Sequence, residues 1–233
     1  MSKVLIITGA SRGIGLATAK LFNENNYDTI NLSRNSIDPA IGLQIQTDIS
    51  QPNWLADCKD QLLEELGEPE QMVVVHNASI LLKDNISSAS QDFSKVLQTN
   101  VIAAQQLNEV LIDKMAHGSS IHYVGSTLSE QAVANTLTYT TSKHATLGLM
   151  RASCQDLMNT GVHCTCICPG FTDTEMLRQH IGNDPAVIES IAGMNAFGRL
   201  IEPEEIAKTI FFAAITPALN GTVIHANLGQ RAN

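Results

Sequence analysis

Positive charge is scarce in this chain. Lysine and arginine together number 14 against 23 aspartates and glutamates, a formal net charge of −9. Nucleic acids and anionic membrane surfaces are bound through a basic footprint, so neither is expected as a partner. A phosphate-bearing small ligand needs only a local cluster of donors and stays compatible. Long apolar runs are missing as well: none approaches the roughly 18 residues that span a bilayer. The short apolar run at residues 4–7 passes straight into a glycine-rich loop, without the apolar core and cleavage site of a signal peptide. A soluble cytoplasmic protein is therefore expected. Metal-finger spacing is absent from the five cysteines. Cys164, Cys166 and Cys168 alternate with Thr165 and Ile167, so on a strand all three share one face. With no second ligand pair nearby, they read as small apolar residues packing a buried strand, and no metal is expected.

What is present is globular composition, 44% hydrophobic and 16% charged. Short apolar runs at residues 3–8, 29–33, 71–76, 120–124, 162–168 and 222–226 read as strands. Stretches of helical spacing lie between them, such as Ile14, Ala17 and Leu21, or Phe93, Val96 and Leu97 followed by Val101 and Ala104. Several of the strands lack polar alternation, as when helices cover both faces. The alternation predicts an α/β fold, a doubly wound parallel sheet of Rossmann type with helices on both faces. With no linker or repeat, residues 1–233 read as a single domain. In such sheets ligands bind beyond the carboxyl ends of the strands.

The first strand is followed by Thr8-Gly9-Ala10-Ser11-Arg12-Gly13-Ile14-Gly15 and then a helix. Gly9 permits a tight turn, Gly13 lets backbone approach a pyrophosphate, and Gly15 lets helix and strand pack closely, with the helix N-terminus facing the phosphates. A lone glycine pattern is weak, but this one has the required strand–helix context. The second strand ends in Ser33-Arg34, where an acidic residue would repel a 2′-phosphate. Arg34 and Arg12 converging on that ribose would suit the phosphate of NADP; taken singly, each could be a solvated surface arginine.

Tyr139 and Lys143 are spaced i and i+4, so on a helix they share a face. A free tyrosine has a pKa of roughly 10. A neighbouring ammonium would lower it and fit Tyr139 to exchange a proton with a carbonyl or alcohol oxygen. Such a pair is a common accident. Ser126, placed directly after a predicted strand, is the discriminating partner, its hydroxyl set to hold the substrate oxygen.

These motifs resemble the short-chain dehydrogenase/reductase family in its compact branch, and the matches spread over nearly the whole chain. The Gly-x-x-x-Gly-x-Gly turn, the interval between Ser126 and Tyr139, and Asn77-Ala78 after a strand all fit it. The resemblance implies a catalytic set of Ser126, Tyr139, Lys143 and Asn100, with Asn100 supporting a water-linked proton relay and Lys143 also binding the nicotinamide ribose. It implies NADP, with NAD second, held by Gly9, Ser11, Arg12, Gly13, Ile14, Gly15, Ser33 and Arg34. It adds Asp48 and Ile49 at the adenine, Asn77 and Ala78 at the sheet centre, and Pro169, Gly170, Thr172 and Thr174 at the carboxamide. Two positions depart from the pattern. Ser79 stands where the family has glycine, putting a side chain where backbone approaches the cofactor. His76 stands where it has asparagine, and at a buried strand end it reads as a hydrogen-bonded structural histidine.

Residues 171–197 read as a mainly apolar substrate lid, suited to a hydrophobic or weakly polar carbonyl or alcohol compound. In the family the helices here spanning about 93–115 and 139–158 form a subunit interface, which implies a homodimer or homotetramer. The function expected is reversible hydride transfer between nicotinamide and a carbonyl or alcohol, with Tyr139 as acid and base. The alternative is a dinucleotide-binding regulatory protein of the same fold with little turnover; Ser79 leaves room for it, and the full set of four catalytic residues speaks against it. A nucleotide-sugar epimerase of the extended branch is disfavoured by chain length.

Overall fold

The computed structural model describes residues 2–88 and 92–230. Seven strands form one sheet: β1 (Lys3–Thr8), β2 (Asp28–Ser33), β3 (Leu43–Gln46), β4 (Gln71–His76), β5 (Ser120–Val124), β6 (His163–Pro169) and β7 (Val223–Ala226). Every pairing is parallel and the order is β3-β2-β1-β4-β5-β6-β7. The winding reverses between β1 and β4, which opens a crevice there at the carboxyl ends. The helices are α1 (Gly13–Glu24), α2 (Lys59–Leu66), α3 (Phe93–Leu97), α4 (Ala103–Leu111), α5 (Leu137–Asp156), α6 (Glu175–Ile181), α7 (Pro185–Ala192) and α8 (Pro203–Ala214).

The two faces follow from strand alternation. On β1, Val4 and Ile6 join a core with Leu62 of α2, Leu107 and Leu111 of α4 and Leu147 and Met150 of α5. Leu5 and Ile7 point the other way, toward Phe22 of α1 and Ile206 and Ile210 of α8. Each such side chain taken out of water contributes about 1.5–3 kcal/mol, and because both faces are covered β4 and β5 need no polar alternation. Cys164, Cys166 and Cys168 all fall in the first core, and all five cysteines are free and buried.

Two features differ from the sequence reading. Strand β3 was not among the predicted strands: only Ile45 of its four residues is buried, so the segment carries no apolar run. The predicted helix at 93–115 is broken by a π turn at Gln98–Ile102, which sits between α3 and α4, and it ends in a 3-10 turn at Ile112–Lys114. Among the described residues no helix is long and apolar enough to cross a membrane, and no cluster of His, Cys, Asp and Glu could hold a metal ion.

Candidate active site

The crevice is a cleft of about 490 Å³ at the carboxyl ends of the strands. Its nucleotide end is built on tight backbone geometry. Gly9 has φ +73°, a left-handed conformation that glycine adopts without cost. A Cβ on Gly15 would lie 2.3 Å from the Gly9 carbonyl and 2.5 Å from Asn77 Nδ2, so α1 and the turn pack as closely as only glycine allows. Asn77 ties the two sides of the crevice together. Its Nδ2 donates to the carbonyls of Thr8 and Gly9, both at 3.0 Å, and the amides of Asn77 and Ala78 donate to Thr8 Oγ1, both at 3.1 Å. Asn31 supports the loop from β2, accepting from the Ala10 amide at 2.9 Å and donating to Ser33 Oγ at 2.8 Å.

Gly9, Ser11, Arg12, Gly13, Ile14, Ser33, Arg34, Asp48, Ile49, Asn77 and Ala78 all line the cleft, whereas Gly15 lies behind the turn. The Arg12 guanidinium pairs with Glu175 at 2.6 Å, reaching to the first residue of α6. Burial raises the Asp48 carboxyl, but hydrogen bonds from Ser50 and Gln51 and the nearby charge of Arg34 outweigh it and leave it below its usual range.

At the other end stand Ser126, Tyr139 and Lys143. Ser126 caps the short 3-10 turn that follows β5, its Oγ accepting from the Leu128 amide at 3.1 Å. The same hydroxyl shares this end of the cleft with the Tyr139 phenol and favours its ionised form. Lys143, one turn further along α5, donates to the Val124 carbonyl at 2.8 Å and holds its Nζ 5.4 Å from the Tyr139 ring centre. The expected lowering of Tyr139 is not what these protein groups produce. Burial, joined by the Cys168 thiol, pushes the phenol up to about 12 against the opposing influence of the Ser126 hydroxyl. Burial brings the Lys143 ammonium down to about 8, against the nearby thiols of Cys166 and Cys168. Near neutrality the phenol is therefore protonated and the lysine still largely charged.

Asn100 lies just behind the cleft wall. Within the π turn its side chain accepts from the Ile80 amide at 2.8 Å and donates to the Ile80 carbonyl at 3.0 Å and Ser142 Oγ at 2.9 Å. It thus fastens a wall loop to α5. Pro169, Gly170, Thr172 and Thr174 line the cleft, and Thr174 Oγ1 also accepts from the Leu177 amide as the cap of α6. His76 is buried and bonded as a structural histidine: its Nε2 donates to Asn108 Oδ1 at 2.7 Å, and Asn108 donates on to the Tyr123 hydroxyl. Burial holds His76 down at about 4 despite that bond. Ser79 lines the cleft with a buried hydroxyl that has no hydrogen-bond partner among the described residues.

Sequence reasoning missed Leu128, Gln131, Val133 and Thr136, which line the cleft beside Tyr139. A signal for them existed: a short segment joining Ser126 to Tyr139 has to run along the site both residues share. Of the apolar residues in the 171–197 segment, Met176, Leu177 and Met194 reach the cleft, together with Phe171.

The comparisons with known proteins agree with this architecture. A family model described as Enoyl-(Acyl carrier protein) reductase matches residues 9–230. The chain belongs to the short-chain dehydrogenase/reductase family. It is 28% identical to the 3-oxoacyl-acyl-carrier-protein reductase FabG of Vibrio cholerae, covering 98% of this chain and 97% of that one. It is 27% identical to carbonyl reductase family member 4 of Xenopus laevis, covering 96% of each. The solved aldohexose dehydrogenase of Thermoplasma acidophilum superposes with a TM-score of 0.90 at 27% identity, covering 99% of this chain and 95% of that one.

Proposed function

We propose that this chain is an NADP-dependent oxidoreductase that interconverts a carbonyl and an alcohol, with Tyr139 as general acid and base. The observation that carries the reading is that Ser126, Tyr139 and Lys143 line one end of the cleft together, with the Lys143 ammonium 5.4 Å from the Tyr139 ring centre, while a glycine turn lines the other end. The curated relatives named above are carbonyl and 3-oxoacyl reductases, which accords with it.

The nucleotide end suits a dinucleotide: Gly9 and Gly15 hold the turn tight against α1 so that its backbone lines the cleft, and the unpartnered Ser79 hydroxyl in the wall offers a hydrogen bond to a ligand. Residues 8–15 would hold the pyrophosphate, Asp48 and Ile49 the adenine, and Arg34 the 2′-phosphate, with Arg12 joining on exchange of its Glu175 partner. Lys143 would bind the nicotinamide ribose, and Pro169, Gly170, Thr172 and Thr174 the carboxamide. When bound, the reduced nicotinamide supplies the hydride. Ser126 orients the carbonyl oxygen, and Tyr139, protonated near neutrality, donates its proton to that oxygen. Lys143 stabilises the phenolate that remains, and Asn100 supports a relay that returns the proton. In the reverse direction Tyr139 accepts the proton. Residues 171–197 act as the lid over a hydrophobic or weakly polar substrate, and the chain works in the cytoplasm as a homodimer or homotetramer through the 93–115 and 139–158 helices.

The test is a carbonyl panel of acetoacetyl-CoA, a simple β-keto ester and an aromatic ketone, assayed with NADPH and with NADH. Turnover should prefer NADPH, and Tyr139→Phe should lower kcat by about 10²–10⁴-fold. Undiminished turnover in Tyr139→Phe would rule out the mechanism, and tighter binding of NADH than NADPH would overturn the cofactor assignment.

A further inference from the structure

Helix α5 carries Tyr139 in its first turn, yet its own N-cap residue, Thr136, makes no side-chain cap bond to it. The Thr136 hydroxyl is engaged elsewhere, with the Val133 carbonyl at 2.7 Å and Thr140 Oγ1 at 2.9 Å. The cap comes from a different loop. Asp84 is only 7% exposed; its Oδ1 accepts from the Thr138 amide at 3.0 Å, and its Oδ2 accepts from the Thr138 hydroxyl, which is fully buried. The backbone doubles the link: the Asp84 amide donates to the Asn135 carbonyl at 3.1 Å, and the Leu137 amide donates to the Asp84 carbonyl at 3.4 Å. A carboxylate at this end also meets the positive end of the helix dipole.

The loop that carries Asp84 leaves β4 through Asn77, Ala78, Ser79 and Ile80, all on the cleft wall. It is pinned at Ile80 by Asn100, which also reaches Ser142 on α5. The wall loop is thus fastened to α5 at two heights, and the upper fastening falls on the residue just before Tyr139. We propose that Asp84 is a positioning residue for Tyr139, capping α5 from the cleft-wall loop and so setting how far the phenol reaches toward Ser126. This rests on the reading of Tyr139 as the proton donor.

The experiment separates the two. In Asp84→Ala, kcat with acetoacetyl-CoA, or with whichever ketone of the panel turns over best, falls about tenfold or more. The Kd for NADPH, read by calorimetry, stays within about twofold because the nucleotide end is untouched. Asp84→Asn keeps an acceptor for the Thr138 amide and recovers most of the rate. Adding Thr138→Val to Asp84→Ala costs nothing further, since the two residues form one contact. Amide hydrogen exchange at residues 138–141 quickens in Asp84→Ala. A folded Asp84→Ala with wild-type kcat, or with kcat and NADPH affinity lost in parallel, overturns the assignment. Should Asp84→Ala fail to fold, Thr138→Val decides, with a lowered kcat at unchanged Kd supporting the proposal and a wild-type kcat overturning it. A wild-type protein that reduces nothing in the panel defeats the functional reading instead. Unchanged exchange at 138–141 in Asp84→Ala would then overturn the positioning role on its own.

Discussion

The two ends of the cleft are built to different tolerances. At the nucleotide end, Thr8, Asn31 and Asn77 spend their side chains on backbone partners, and Gly15 leaves no space for a methyl group. At the substrate end, α6 has no fully buried residue and α7 only Ala192, and both helices are short. Val187 is 38% exposed and Phe197 67%. Rigidity is concentrated where a ligand common to many reactions would sit, and looseness where substrates differ. A loop with few buried contacts opens at low free-energy cost, which suits the lid role proposed for this segment.

The strongest way to break the contrast is at its rigid end. Gly15→Ala places a Cβ against the Gly9 carbonyl and Asn77; overpacking of this kind costs about 1–3 kcal/mol. NADPH affinity by calorimetry should fall by about two orders of magnitude, since the added methyl group forces apart the turn and the helix that present the backbone to the pyrophosphate. The melting temperature should fall by about 2–4 °C for each kcal/mol lost.

A second effect tests whether the sheet beneath the cleft is stiff because it is dry. His76 is held down at about 4 and His122 at about 3, chiefly by burial, whereas an unfolded chain titrates them near 6.5. The fold therefore favours their neutral forms. Their contribution is complete above about pH 6.5 and is lost as pH falls through the window down to the folded values. By pH 5 the loss is on the order of 2 kcal/mol for each histidine. Urea unfolding at pH 7 and pH 5 measures it, and His122→Asn should flatten the dependence; an equal midpoint at both pH values in the wild type would contradict it.

The smallest effect belongs to the loose end. Met176→Ala should raise KM for the more apolar ketones by up to about tenfold and leave the NADPH Kd and the melting temperature nearly unchanged. A change in NADPH affinity would mean that the lid and the nucleotide end are coupled, with the Arg12–Glu175 ion pair as the connection to examine.

What could be read from the residues follows the same division. β1, β4 and β5 were legible to the residue because each is a continuous buried run between turn signals. The Ser126, Tyr139 and Lys143 spacing was legible because a strand end and one helical turn determine where those side chains go. β3 was not, since one buried isoleucine makes no pattern. Neither was the acidity of Tyr139. Adjacency to a lysine was visible, but the burial that sets the direction of the shift depends on elements far away in sequence. The partner of Arg12 and the cap on α5 escaped for the same reason, because Glu175 at the start of α6 and Asp84 in the loop after β4 lie far away in sequence.

The strand order has a consequence for how the chain is made. Synthesised from the N-terminus, β1 and β2 pair first and β3 adds to the outer edge of β2. β4 then lands on the free side of β1, and β5, β6 and β7 each dock on the strand completed just before. No strand has to insert between two that are already paired. The sheet can therefore assemble in the order of translation, growing at one edge from β4 onward as each strand emerges. By the time α5 brings Tyr139 to Ser126, the five strands beneath them are already available.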